Sequence, residues 1–220
     1  MKPLTRTVLA LGAVAFLVGA AVPTLAQDGG AGRSRDRSGQ TGGERPGREN
    51  DGGMRGAKVG EKAPDFQLTD VNGKTHKLSD YAGKIVVLDW INPGCPVCKR
   101  VMTSGLVRNA VEETKKASPD VVWLAINSTH FMEPKDTAGY LAENQMTELV
   151  GLIDQNGRAG HMYGARTTPH IFVIDEQGIL RYSGAFDDDP NGDKAKAGEE
   201  VTNYAVNAIK QIKSGETVSP

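Results

Sequence analysis

The stretch IVVLDWINPGCPVCKR, residues 85–100, decides the fold. Its first four residues, Ile85-Val86-Val87-Leu88, are apolar and mostly β-branched, and the run stops at Asn92-Pro93-Gly94. That combination predicts a buried strand ending in a turn. Pro96 suits the first turn of a helix, where its missing N–H has no partner to lose, so Cys95 falls at about the N-cap of the following helix. A helix N-terminus carries partial positive charge and free N–H groups, which favours the Cys95 thiolate over that of a free cysteine near pKa ~8.5. Cys98, one turn on and on the same face, is placed to attack a mixed disulfide at Cys95 and release the partner. A structural zinc site needs two more closely spaced ligands, whereas the chain has only two cysteines and four scattered histidines, His76, His130, His161 and His170. The spacing therefore favours a redox pair, with no metal, over a zinc site or a static disulfide. A thiol-metal carrier using both cysteines and one histidine is the non-enzymatic alternative, since soft thiolates suit Cu(I).

The 220 residues carry a formal net charge of -1, so no charge excess points to nucleic acid or to an anionic membrane. Residues 1–26 read as an export signal: Lys2 and Arg6 give the positive start, residues 8–22 the apolar core, and Thr24-Leu25-Ala26 a small-residue cleavage site. That core is short for a membrane span of about 20 residues, which favours cleavage over anchoring. The protein is thus expected to be exported, periplasmic or secreted, with a membrane link only where the signal is retained. An exported chain whose cysteines form one close pair is suited to reacting rather than stapling. Residues 27–57 hold ten glycines, six arginines and five acidic residues, with Met54 the only large aliphatic side chain. They cannot bury enough apolar surface to offset chain entropy and are expected to form a disordered linker. Residues 58–220 are the size of one ordinary domain.

Within that domain, Asn72-Gly73 between residues 66–68 and 75–77 predicts a hairpin, followed by a helical turn at 78–81. Val97, Val101, Met102, Leu106 and Val107 recur at helical spacing and predict one helix to about residue 116. A buried strand at 121–127, a helix at 136–145, a short strand at 149–153 and a helical turn at 157–163 follow. Residues 171–174 and 179–182 form a hairpin, and 199–213 a closing helix. This order is an α/β sandwich with a mixed sheet, two strands parallel from the crossover units and an antiparallel pair at the end. The cysteines lie where a strand's carboxyl end meets a helix, the usual place for a site in an open α/β sheet.

Four pieces, VGEKAPDFQLTDVNGK (59–74), IVVLDW (85–90), CPVC (95–98) and YGARTTPHIFVIDEQG (163–178), carry a family resemblance. Residues 59–213 resemble the thioredoxin-fold redoxins of the alkyl hydroperoxide reductase and thiol-specific antioxidant superfamily, most closely the exported thioredoxin-like thiol-disulfide oxidoreductases. The resemblance implies a thioredoxin-like fold, a mixed central sheet flanked by helices with an N-terminal β-hairpin extension. It implies exchange with protein thiols and disulfides, an upstream electron donor or acceptor, no cofactor, and Cys95 and Cys98 as the catalytic pair. It also implies a cis Thr168-Pro169 bond facing the pair, with Thr168, Pro169 and Pro96 positioning the substrate. A cis X-Pro bond turns the chain tightly and removes a donor, leaving neighbouring backbone groups to pair with an extended substrate segment. Asp89, six residues before Cys95, matches a buried acid that accepts the second cysteine's proton, and burial would raise its pKa toward neutrality. The competing reading turns Asp89 to a polar edge or a backbone partner. Trp90 reads as packing, or else as lining the substrate groove.

The departures are specific. Gly94 precedes Cys95 where thioredoxins have Trp, and Pro96-Val97 replaces Gly-Pro, a dipeptide that influences redox poise in the family. A peroxiredoxin-like thiol peroxidase is the second reading. Peroxiredoxins, however, place Thr where this chain has Asn92, and Arg where it has Pro169; Arg166 is out of register. Residues 187–193 imitate the start of a calcium loop, but its twelfth position is Gly198, not Glu, so a solvated loop ahead of a helix is expected. His170 reads either as a neighbour of the cysteines or as packing. Lys99 and Arg100 read either as a positive field at Cys95 or as a solvated helix face.

Overall fold

The computed structural model describes residues 56–219. The expected export signal, residues 1–26, and the expected linker up to residue 55 lie outside the described residues. Ala57 already donates its N–H to the Met162 carbonyl at 3.2 Å.

The expected hairpin is β1 (Gln67–Asp70) and β2 (Thr75–Lys77), closed by Asp70, whose Oδ1 accepts the N–H groups of Asn72 and Lys74. A 3-10 turn at Leu78–Tyr81 then leads into β3 (Val86–Trp90), in which every residue is buried. The central sheet has seven strands in the order β2-β1-β5-β4-β3-β6-β7. Strands β3, β4 (Val122–Asn127) and β5 (Val150–Ile153) are parallel. Three parallel strands result, one more than the sequence spacing predicts, because the short β5 follows a second crossover helix. β6 (His170–Ile174) and β7 (Leu180–Gly184) complete one side antiparallel, and β1 lies antiparallel on β5 at the other.

The periodicity predicts one helix over residues 95–116; the structure divides it into α1 (Pro96–Thr103) and α2 (Leu106–Ala117). Ser104 turns its hydroxyl back to the Arg100 carbonyl at 2.7 Å, and Gly105 takes φ 77°, a left-handed conformation that costs glycine little. The apolar spacing persists on both sides of the break and hides it. α3 (Pro134–Glu143) begins earlier than predicted, with Pro134 in its first turn and a capping box between Glu133 and Asp136. The remaining helices are α4 (Arg158–Tyr163), α5 (Asp193–Ala197) and α6 (Tyr204–Ser214).

The loop before α5 corrects an expectation. It precedes a helix as predicted, but it is solvated only in part: Pro190 and Asn191 are exposed, whereas Asp187 and Asp189 are buried. Asp187 accepts two bonds from Arg100 at 3.1 and 3.0 Å, and Asp189 accepts the N–H groups of Lys194 and Ala195 at the start of α5. Arg100 is therefore neither a solvated helix face nor a free positive charge.

Side-chain alternation splits the core into two layers. Val87 and Ile91 pack with Val101, Val107 and Ile209 from α1, α2 and α6. Val86, Leu88 and Trp90 pack on the opposite face with Phe66, Tyr163 and Phe172. Each fully buried aliphatic or aromatic side chain contributes roughly 1.5–3 kcal/mol, and the strand that carries them ends at the cysteines. Among the described residues no helix is long and apolar enough to cross a membrane.

Candidate active site

The site forms where β3 ends. Asn92 shapes the turn: its side-chain oxygen accepts the Gly94 N–H at 2.7 Å, and its carbonyl accepts the Cys95 N–H at 2.9 Å. This turn sets Cys95 at the N-cap of α1 in extended conformation, with Pro96 in the first helical turn, as the sequence predicts. Both cysteines are free thiols, Cys95 half-buried and Cys98 only 1% exposed. Of the pair, only Cys95 is open to an incoming sulfur.

The register of β6 on β3 places Trp90 opposite His170, which brings the preceding Thr168-Pro169 alongside the turn that carries the cysteines. The Thr168-Pro169 bond is cis, and the Cys95 thiol donates to the Thr168 carbonyl at 2.9 Å. Pro96 is exposed at the start of α1, next to Cys95 in the chain. Asp89 sits one residue before the last of β3, is 1% exposed, and pairs across the sheet with Ala125 and Ile171. It has neither the polar edge nor the backbone partner of the competing reading, and its Oδ1 has no hydrogen-bond partner.

The electrostatics separate the three groups. Burial works against the Cys95 thiolate, yet the Thr168 hydroxyl and the N–H groups of Cys98 and Val97 at the start of α1 outweigh it and hold the thiol below its ordinary pKa. The thiol-to-carbonyl bond favours the proton and opposes them, so the donors decide the direction. Burial first, then the charge of Asp89, pushes the Cys98 thiol well up. Burial alone raises Asp89 from 3.8 to about 7. A nucleophile that ionises more readily than an ordinary cysteine thus stands beside a thiol that ionises less readily, with a carboxyl group of near-neutral pKa nearby.

Trp90 packs between Tyr163 and Phe172 and donates its indole N–H to Ser128 at 3.1 Å. Ser128 donates in turn to Asp154 at 2.7 Å, and Asp154 accepts the N–H groups of Ala159 and Gly160 at the start of α4. Trp90, Ser128, Gly160, His161, Arg166 and Thr168 line a cavity of about 350 Å³ next to the Cys95 contact. His170 stacks on Phe172, accepts the Arg166 N–H at 3.3 Å and meets the Ser183 hydroxyl at 3.3 Å, which is packing rather than a cysteine contact. Ser128 and Asp154 were not singled out by sequence, although both directly follow a parallel strand, where α/β sites gather. Tyr140, buried in α3 with its hydroxyl unpartnered, gave no sequence signal of its own. Asn92, the position where a peroxidase would carry Thr, spends its side chain on the turn. Among the described residues, no three of His, Cys, Asp and Glu gather closely enough to hold a metal ion.

Comparison with known proteins finds relatives in sequence and in fold. The thiol-disulfide oxidoreductase ResA of Geobacillus kaustophilus is 34% identical over 123 residues, covering 56% of this chain and 67% of that protein. The thioredoxin-like protein YneN of Bacillus subtilis is 27% identical over 127 residues, covering 57% and 71%. An uncharacterized conserved protein from Geobacillus kaustophilus, known from its crystal structure, superposes with a TM-score of 0.63 at 26% identity, covering 75% of this chain and 87% of that one. The fold, the cysteine pair at the strand end, and a Redoxin family model that matches residues 58–201 establish that the chain belongs to the redoxin family.

Proposed function

We propose that this redoxin is an exported thiol-disulfide oxidoreductase that exchanges disulfides with partner proteins through Cys95 and Cys98. The observation that carries the reading is the contrast between the two thiols: a half-exposed Cys95 held toward its thiolate, and a buried Cys98 pushed away from it beside Asp89. The similarity to proteins named thiol-disulfide oxidoreductases supports it.

In the reducing direction, the Cys95 thiolate attacks one sulfur of a partner disulfide. The partner's S–S bond breaks, a Cys95–partner disulfide forms, and the other partner sulfur leaves as a thiolate that takes up a proton. The Cys98 thiol then passes its proton to the Asp89 carboxylate and attacks the Cys95 sulfur. The mixed disulfide breaks, the Cys95–Cys98 disulfide forms, and the second partner sulfur leaves and is protonated. Two electrons have moved to the partner, and an upstream thiol donor restores the reduced pair. The oxidising direction is the same sequence reversed. Thr168, Pro169 and Pro96 form the surface beside Cys95 on which an extended partner segment lies. No nucleic acid is involved, and a membrane link arises only where the N-terminal signal is retained.

The test compares thiol loss from the reduced protein with a disulfide-bonded peptide and, separately, with hydrogen peroxide, and follows Cys98→Ser with the same peptide by mass spectrometry. Fast reaction with the disulfide, slow reaction with peroxide, and a mixed disulfide that persists only in Cys98→Ser are expected. Faster reaction with peroxide, or no trapped species at Cys95, overturns the reading.

A further inference from the structure

Residues 166–170 form a turn whose two ends are tied together. The Arg166 N–H donates to His170 Nδ1 at 3.3 Å, and the Thr168 carbonyl between them accepts the Cys95 thiol at 2.9 Å. Arg166 therefore lies two residues from the carbonyl that touches the nucleophile, a separation of at most about 7 Å along the chain. Its own long side chain adds a similar reach. A group on a partner segment joined to Cys95 is thus within range of the guanidinium.

Arg166 is exposed, and among the described residues its guanidinium has no bonded partner. Arg100, Arg108 and Arg181, by contrast, each hold an oxygen of the chain, from Asp187, the Asn144 carbonyl and Asp175. Arg166 lines the cavity of about 350 Å³ beside Thr168 together with His161, which is also exposed, and no acidic residue contributes to that lining. Asp154, bonded to Ser128 and Gly160 of the same lining, is only 1% exposed, and its oxygens are occupied by the Ser128 hydroxyl and the N–H groups of Ala159 and Gly160. The charge of Arg166 is felt along the turn: after burial, the larger cause, it helps to hold His170 below its ordinary pKa. The cavity next to the nucleophile thus presents a cation without a counterion among the described residues.

We propose that Arg166 is a specificity-determining residue: it selects partner disulfides that carry a carboxylate within about two residues of the cysteine attacked by Cys95. The inference rests on the reading of the protein as a thiol-disulfide oxidoreductase and names the substrate class for it. The carboxylate accepts from the guanidinium as the partner approaches, which speeds encounter and steers the sulfur onto Cys95. A cationic neighbour is repelled. The exchange of sulfur bonds is the same for every partner, and only the rate of the first attack differs. Because the ion pair forms at an exposed surface, its effect is a graded preference and not an absolute requirement.

The experiment measures the second-order rate at which the reduced full chain reacts with disulfide-bonded peptides that are identical except for glutamate, glutamine or lysine beside the reacting cysteine. It is repeated with Arg166→Gln and Arg166→Glu. The side chain is exposed and the tether to His170 uses the backbone N–H, so both variants keep the turn. With the native chain at low salt, the glutamate peptide reacts roughly fivefold faster than the glutamine peptide, and the lysine peptide roughly fivefold slower. The spread shrinks as ionic strength rises past ~0.1 M. Arg166→Gln removes the spread and Arg166→Glu reverses it, while the pH midpoint for alkylation of Cys95 by neutral iodoacetamide stays in place. If the peptides react equally with the native chain, or if their ranking survives Arg166→Glu, the proposal fails and the oxidoreductase reading stands. If the variants slow every peptide by the same factor, or move the Cys95 alkylation midpoint, Arg166 acts on the thiol and not on the partner, and the proposal is overturned. If no peptide of any charge forms a mixed disulfide with Cys95, the oxidoreductase reading itself fails, and the selectivity with it.

Discussion

Asp89 and Asp154 are equally buried, each 1% exposed, and lie near the carboxyl ends of β3 and β5, yet the molecule treats them oppositely. Asp154 accepts from the Ser128 hydroxyl and from the N–H groups of Ala159 and Gly160, so its desolvation is offset by directed donors. Asp89 sits among aliphatic side chains with an oxygen left bare, and its pKa rises to about 7. A buried carboxylate with a full set of donors is a brace; one denied them is held where it can exchange a proton. Asp175 belongs with Asp154: it is buried, and it accepts the N–H groups of Gln177 and Ile179 and the side chain of Arg181.

The contrast is sharpest under substitution. Asp154→Ala removes three bonds at once and strands two N–H groups at the start of α4, so stability should fall by about 3–5 kcal/mol in urea denaturation. A loss below 1 kcal/mol would show that the brace is idle. Asp89→Asn should do the reverse above neutral pH. The folded state keeps the Asp89 proton between 3.8 and about 7, a window in which the unfolded chain has lost it. Native stability therefore falls as pH rises through that window and levels off above it. About three units at roughly 1.4 kcal/mol each set the ceiling, so Asp89→Asn should add about 2–4 kcal/mol at pH 8 and almost nothing at pH 4. Parallel stability-versus-pH curves for the two proteins would contradict the unpaired state of Asp89.

Smaller changes probe the brace from its edges. Ser128→Ala deletes the bond to Asp154 and leaves the Trp90 indole N–H without its acceptor. It should lower the thermal midpoint by an amount equivalent to about 1–2 kcal/mol. Gly160→Ala places a methyl group 3.3 Å from the Ser128 hydroxyl and 3.4 Å from the Trp90 nitrogen. That crowding should cost less than about 1 kcal/mol, since a few tenths of an ångström of give suffices. A larger loss would mean that the cavity beside Thr168 is more rigid than its open rim suggests.

The sequence alone determined the strands, because buried β-branched runs such as residues 85–88 and 121–127 leave few other solutions, and it determined Cys95 at a helix start, because Pro96 fits little else. The hairpin at Asn72-Gly73 and the 3-10 turn after it follow from equally local chemistry. Cis geometry at Thr168-Pro169 was legible only through family resemblance, since no local pattern distinguishes it from a proline that merely starts a strand. The break at Ser104-Gly105 escaped because helical spacing continues across it. The tertiary structure decided what depends on neighbours distant in sequence: that Asp187 pins Arg100 across 87 positions, and that Ser128 meets Asp154. Periodicity reports which side of an element is buried, but whether a buried polar atom finds a partner there is settled only when the elements are packed together.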